Sequence, residues 1–206
     1  MIASEAEARS YSATLTNARG LERLDHLVEL LRDENQRQNL VAPATLEEVW
    51  VRHIADSLQL LEHVPRETQI WIDLGTGGGF PGLALAAADP SRAFILVESR
   101  KLRVAWLERA VSALGLSNIE VFDARLEAMP TFSADVISAR AFAPLDRLLS
   151  LAGRFSTDET IWLLPKGRNA LKELSGQPEA VRSLFHVEQS RTDASAGILV
   201  GRGSLQ

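Results

Sequence analysis

Ile70-Trp71-Ile72-Asp73-Leu74-Gly75-Thr76-Gly77-Gly78-Gly79-Phe80-Pro81-Gly82 is the stretch on which the fold turns. It opens with a short apolar run that reads as a strand, and residues 83–88 beyond it read as a helix. Between them, five of the eight positions 75–82 are glycine, more than a simple tight turn needs. Glycine removes the Cβ and lets main chain approach a ligand closely. Pro81 suits the first turn of a helix, where a missing N–H is no loss. The turn therefore predicts a ligand held against bare main chain at a helix N-terminus.

Outward from this turn, apolar runs alternate with helical stretches over residues 81–88, 93–97, 99–114, 119–122, 134–138, 144–151 and 160–164. Strands joined by helical crossovers are parallel and right-handed, with helices on both faces, so the fold class is α/β with a mostly parallel sheet. Its ligand crevice should lie beyond the C-terminal ends of the strands. Residues 184–188 and 197–201 are expected to close the sheet as an antiparallel hairpin. On the N-terminal side, Leu21, Leu24, Leu27, Val28 and Leu31 recur at helical spacing. Thr45-Leu46-Glu47-Glu48 has the capping-box form, which predicts a second helix starting at Thr45 and ended by Pro65. The expected organisation is an N-terminal helical extension over 1–64 and a core over 65–206, together one compact domain.

The chain has 206 residues, 46% of them hydrophobic and 24% charged, which is ordinary globular usage. It has no cysteine, which removes disulfides, thiolate metal sites and nucleophilic attack through sulfur. Residues 1–19 lack a continuous apolar core, so neither a signal peptide nor a membrane span is expected there. A reducing cytoplasm fits these features, with no membrane and no metal involved. The net charge of −5 marks no global affinity for nucleic acid. Any such contact needs a local patch, of which Arg32 with Arg37, Arg100 with Lys101 and Arg103, Arg140 with Arg147, and Lys166 with Arg168 are the candidates. Charge patterning alone favours solvated surface for these clusters.

Gly77, Gly79 and Gly82 formally match the dinucleotide pattern G-x-G-x-x-G, so a nicotinamide or flavin site is one reading of the turn. Asp73, expected to face the ligand, suits a cation better than a pyrophosphate, and a methionine sulfonium with its ammonium is such a cation. The Walker pattern is excluded in form, because no Lys-Ser or Lys-Thr follows the glycines. Glu98 ends the second strand, where a carboxylate can accept hydrogen bonds from both ribose hydroxyls of either adenosine-containing cofactor. Asp123-Ala124-Arg125-Leu126-Glu127 follows the third strand and is placed to line an adenine, although Arg125 and Glu127 equally suit solvated surface. A small-molecule methyltransferase, a dinucleotide oxidoreductase and a non-catalytic RNA-binding module all remain readings of these residues alone.

Four segments together resemble the RsmG (GidB) family of small-subunit ribosomal RNA methyltransferases. They are Asn39-Leu40 with Val51-Arg52-His53-Ile54-Ala55-Asp56-Ser57-Leu58, the glycine turn, Ile137-Ser138-Ala139-Arg140-Ala141-Phe142-Ala143, and Leu164-Pro165-Lys166-Gly167. The Arg-His-Ile-x-Asp-Ser segment ahead of a glycine turn ending in Phe-Pro-Gly is the specific part. The resemblance implies a Rossmann-like class I methyltransferase fold and transfer of a methyl group from S-adenosylmethionine to N7 of a guanine in 16S ribosomal RNA of the small subunit. Carried over by position, it implies cofactor contacts at Gly75, Phe80, Leu126, Glu127 and Arg140. Gly78 and Phe80 stand where many relatives carry Pro and Leu, and residues after Gly176 match less clearly.

The residues agree with that chemistry. Guanine N7 carries a free lone pair, so no general base is required and catalysis can rest on orientation. Methylation at pyrimidine C5 usually needs a cysteine, which is absent. Methylation of the adenine amino group usually brings an Asn/Asp-Pro-Pro-aromatic motif after the fourth strand, where this chain has Ser138-Ala139-Arg140-Ala141-Phe142. Arg140 is expected at that strand's end beside the cofactor, contacting it or an RNA phosphate. Lys166, after the fifth strand, is a candidate phosphate contact. Phe142 is a candidate to stack on a splayed base. His53, Asp56 and Ser57 fall on one helix face and are expected to brace the cofactor turn. A monomer is expected.

Overall fold

The computed structural model describes residues 1–205. Its parallel strands are β1 (Ile70–Leu74), β2 (Ala93–Glu98), β3 (Ile119–Asp123), β4 (Val136–Ser138) and β5 (Ile161–Lys166). The closing hairpin is β6 (Phe185–Gln189) and β7 (Gly197–Arg202). The sheet runs in the order β3-β2-β1-β4-β5-β7-β6. All pairings are parallel except those of β7, which is antiparallel to both β5 and β6. The order therefore reverses between β1 and β4, the switch point where open α/β sheets bind ligands.

Helices α1 (Glu5–Thr14), α2 (Ala18–Asn35), α4 (Gly82–Ala88) and α5 (Lys101–Ala113) share a core with the irregular helical segment over residues 50–63. The leucine stripe of the sequence becomes the buried face of α2, with Leu24, Leu27 and Leu31 fully enclosed. Leu24 and Leu27 pack in the same cluster as Phe80, Leu96 and Trp106 of the core, so the extension completes one face of the sheet. Helix α6 (Leu145–Ala152) and the short α7 (Ala170–Ser175) cover the other face, followed by α8 (Glu179–Arg182). No described helix is long and apolar enough to cross a membrane.

The second helix does not start at Thr45. Residues 43–45 form an isolated 3-10 turn, and the helical segment begins at Trp50 with a π turn, passes through the short α3 (Asp56–Leu58) and ends in a 3-10 turn at His63. Its free N–H groups are capped from outside. The Glu5 carboxylate accepts from Trp50 N at 3.0 Å and from Val51 N at 2.9 Å. A tertiary cap has replaced the local one, because orphan amides at a helix start accept any well-placed carboxylate. The Thr45 hydroxyl is engaged elsewhere, donating to the Ala42 carbonyl at 2.7 Å.

Candidate functional site

A cavity of about 510 Å³ opens at the C-terminal strand edge, between Gly75 on one side and Arg125, Leu126 and Glu127 on the other. Glu98 forms part of its floor. The glycine turn takes its shape from a carboxylate at each end. Glu98 Oε1 accepts from Ser99 N at 2.7 Å and Arg100 N at 2.8 Å, and Oε2 accepts from Gly77 N at 3.2 Å. A carboxylate offers about four acceptor positions, so Glu98 retains roughly one for a ligand hydroxyl.

Asp73 does not face the cavity. It is fully buried, with Oδ2 accepting from Gly82 N at 3.0 Å and Oδ1 from the Ser138 hydroxyl at 2.7 Å. Ser138 in turn accepts from Trp71 Nε1 at 2.9 Å. Burial pushes the Asp73 carboxyl pKa up, opposed by the Ser138 and Gly82 hydrogen bonds. Asp73 thus ties β1 to β4 and to the start of α4, and it shapes the turn from behind.

Gly75 lines the cavity with φ +64, and a Cβ there would stand 2.4 Å from Phe142 Cδ2. Gly77 and Gly79 act on the turn itself. Gly77 supplies the N–H held by Glu98, and at Gly79 a Cβ would press on Leu83 of α4 at 2.9 Å. Phe80 is buried away from the cavity, its ring centroid 5.0 Å from that of His53 and 5.6 Å from the Arg140 guanidinium carbon.

Arg140 leaves the end of β4 but turns toward the N-terminal helices. Its guanidinium donates to the Arg52 carbonyl at 3.2 Å, to Asp56 Oδ2 at 3.3 Å and to His53 Nδ1 at 3.1 Å. The guanidinium faces His53, Asp56 and Phe80, and Arg140 is absent from the lining of the 510 Å³ cavity but borders a neighbouring one. His53 is buried, and burial with Arg140 and Arg52 alongside holds its pKa down to about 3. The ring is therefore neutral, with Nδ1 accepting from Arg140 and Nε2 donating to the Thr45 hydroxyl at 2.8 Å. Asp56 Oδ1 accepts from Thr192 at 2.7 Å and from Gln59 at 2.9 Å. Among the described residues the Ser57 hydroxyl donates to the His53 main-chain carbonyl at 2.6 Å. His53, Asp56 and Arg140 meet in one hydrogen-bonded network, and Thr45 and Thr192 join it without any local pattern that marked them.

Lys166 is neither solvated nor free for a phosphate. Its side chain is 10% exposed, and Nζ donates to Glu173 Oε2 at 2.9 Å and reaches the Ala143 carbonyl at 3.5 Å. Phe142 is half-buried against Gly75, in a loop whose Ala141 has φ +54. Residues 141–144 border both the cofactor-sized cavity and a second one of about 730 Å³, which Arg140 and residues 165–177 also line. Of the basic clusters, Arg37 pairs with Glu34, Lys101 with Asp123 and Arg147 with Glu127. Arg100, Arg125 and Arg168 are exposed. Among the described residues no group of three His, Asp or Glu side chains could hold a metal ion.

A mostly parallel sheet of this order, with a ligand-sized cavity on a glycine turn at its switch point, defines a Rossmann-like class I methyltransferase architecture. A methyltransferase from Aquifex aeolicus described as SAM dependent superposes with a TM-score of 0.58 at 15% identity, over 82% of this chain and 97% of that one. The family model for rRNA small subunit methyltransferase G (GidB) matches residues 20–197, and the chain belongs to that family. Ribosomal RNA small subunit methyltransferase G of Erythrobacter litoralis is 57% identical over 98% of each chain. The protein of the same name from Novosphingobium aromaticivorans is 58% identical over 88% of this chain and 80% of its own.

Proposed function

We propose that this chain transfers the methyl group of S-adenosylmethionine to N7 of a guanine in 16S ribosomal RNA. The observation that carries the reading is a pair of adjoining cavities that share residues 141–144. One is sized and furnished for an adenosine-bearing ligand, and the other is open to a base. Glu98 keeps an acceptor position for a ribose hydroxyl, Arg125, Leu126 and Glu127 border the adenine, and Gly75 brings main chain against the ligand. Asp73, Gly77, Gly79 and Phe80 hold the turn in shape, and His53, Asp56, Ser57 and Arg140 brace it from the N-terminal side.

Bound S-adenosylmethionine supplies an electrophilic methyl: the N7–C bond forms as the C–S bond breaks, and positive charge passes from sulfur to the guanine ring. No side chain need remove a proton, so the chain contributes orientation and shelter from water. In this reading residues 1–64 serve as an extension bracing a core at 65–206, and the enzyme works in the cytoplasm as a monomer on the small subunit without a metal.

Mapping N7-methylguanosine in small-subunit RNA from cells with and without the gene tests the reaction. One site should vanish with the gene, and an unchanged map overturns the proposal. Calorimetry should register S-adenosylhomocysteine and not NAD. The reverse order of affinity would favour the oxidoreductase reading.

A further inference from the structure

The second cavity, of about 730 Å³, lies within the usual range for small-ligand sites, roughly 300–1,000 Å³. Residues 141–144 are common to both cavities, whereas nothing from 165–177 borders the cofactor cavity. A guanine entering here with N7 toward the methyl donor has its imidazole edge on the side of residues 141–144, where the two cavities adjoin. Its opposite edge, carrying N1–H and the N2 amino group, then faces the segment 165–177. The carboxylate on that far wall is Glu173 of α7.

Glu173 is arranged for such a role. Its side chain is 33% exposed, and Oε2 accepts from the largely buried Lys166 ammonium at 2.9 Å. Among the described residues Oε1 accepts no hydrogen bond. Lys166 also reaches the Ala143 carbonyl, so one ammonium ties Glu173 to the segment that both cavities share. Asp146 also lines the cavity, but it follows directly on the shared wall at 141–144, on the N7 side of a base so placed.

Resting on the function proposed above, we infer that Glu173 is the guanine-reading residue, accepting hydrogen bonds from N1–H and the N2 amino group, with Lys166 as its positioning residue. Two donors on adjacent atoms match one carboxylate, and adenine, which has an acceptor at N1, is rejected by repulsion between lone pairs. The same contact serves the reaction. Methylation at N7 places positive charge on the ring, so the N1–H and N2 donors strengthen as the bond forms, and the carboxylate binds the transition state more tightly than the ground state. Glu173 thus contributes to specificity and to rate.

The test uses small subunits reconstituted with either guanosine or inosine at the methylated position. Inosine keeps N7, O6 and N1–H but lacks the N2 amino group. The wild-type enzyme should methylate guanosine particles roughly ten- to a hundredfold more efficiently than inosine particles, the weight of one hydrogen bond to a charged group. Glu173→Gln should be slower on guanosine by a similar factor and should discriminate between the two bases less than about threefold, with S-adenosylhomocysteine affinity unchanged. Equal rates of the wild-type enzyme on both particles, or full discrimination retained by Glu173→Gln, would overturn the inference while leaving the reaction itself intact. Failure of the wild-type enzyme to methylate guanosine particles would remove the parent reading instead. The wild-type comparison needs no variant, so a poorly folding Glu173→Gln cannot mask the result.

Discussion

Replacing Gly75 by alanine loads two distinct costs on one position, and a second glycine separates them. At φ +64 the backbone lies in the left-handed region, where a Cβ costs roughly 1–2 kcal/mol. The new methyl would also stand 2.4 Å from Phe142 Cδ2 and 3.2 Å from Cε2, so the ring must leave the turn, at an overpacking cost of about 1–3 kcal/mol. The sum is roughly 2–5 kcal/mol, or a fall in Tm of about 5–20 °C for a chain of this size. Gly115 has nearly the same φ, +60, and nothing within 4 Å of a built Cβ. Gly115→Ala should therefore show the strain alone, a fall of about 2–8 °C. Scanning calorimetry measures both, and titration with S-adenosylhomocysteine completes the assay. Gly75→Ala should bind at least about tenfold more weakly, because the displaced ring intrudes on the cavity, a loss of about 1.4 kcal/mol. Gly115→Ala should bind as wild type. Equal melting of the two variants, or undiminished affinity in Gly75→Ala, would refute the packing of Phe142 on the turn as the source of the effect.

His53 predicts an acid-sensitive fold. Its folded pKa of about 3 lies below the ordinary 6.5, so between those values the unfolded chain takes up a proton that the folded chain refuses. Stability present above pH 6.5 is then lost as pH falls toward the folded value, by on the order of several kcal/mol. Urea unfolding against pH should show a shallower slope in His53→Gln, and identical slopes would count against the buried neutral ring. Asp73→Ala strands the Gly82 amide and the Ser138 hydroxyl in the core, and it should cost about 2–4 kcal/mol in chemical denaturation and abolish S-adenosylhomocysteine binding. Retained binding would show that the turn keeps its shape without the carboxylate. Arg140→Lys keeps the charge but loses the fork that joins Arg52, Asp56 and His53, and it should lower stability by about 1–3 kcal/mol together with methyl transfer. An unaffected melt with lost transfer would move Arg140 from brace to substrate contact.

The order of elements could be read from the sequence because each strand is a short apolar run and each crossover a helical stripe, local periodicities that packing only reinforces. β1, the glycine turn and the closing hairpin all occur where their patterns place them. Helix α1 escaped the pattern, since its buried residues are only Ala8 and Ser12, too small to raise an apolar signal. The capping box at Thr45 misled for a related reason: a threonine followed by acids suits a helix start, but Glu5, remote in sequence, caps the helix that forms.

What the sequence determined by itself is the chemistry available: a glycine-rich turn after a strand, acids at the ends of β1 and β2, no cysteine, and a set of motifs shared with one family. Tertiary structure decided which way each charged side chain points. Asp73 and Glu98 both end parallel strands beside the same turn, yet one is sealed behind it by Ser138 and Gly82 while the other borders the cavity. Arg140 and Lys166 both stand at strand ends, yet each is drawn aside by a carboxylate, Arg140 by the remote Asp56 and Lys166 by Glu173 of the next helix. A polar side chain near a crevice goes where its hydrogen bonds and desolvation balance best, and for Arg140 those partners lie up to 88 residues away along the chain. No local pattern encodes that choice.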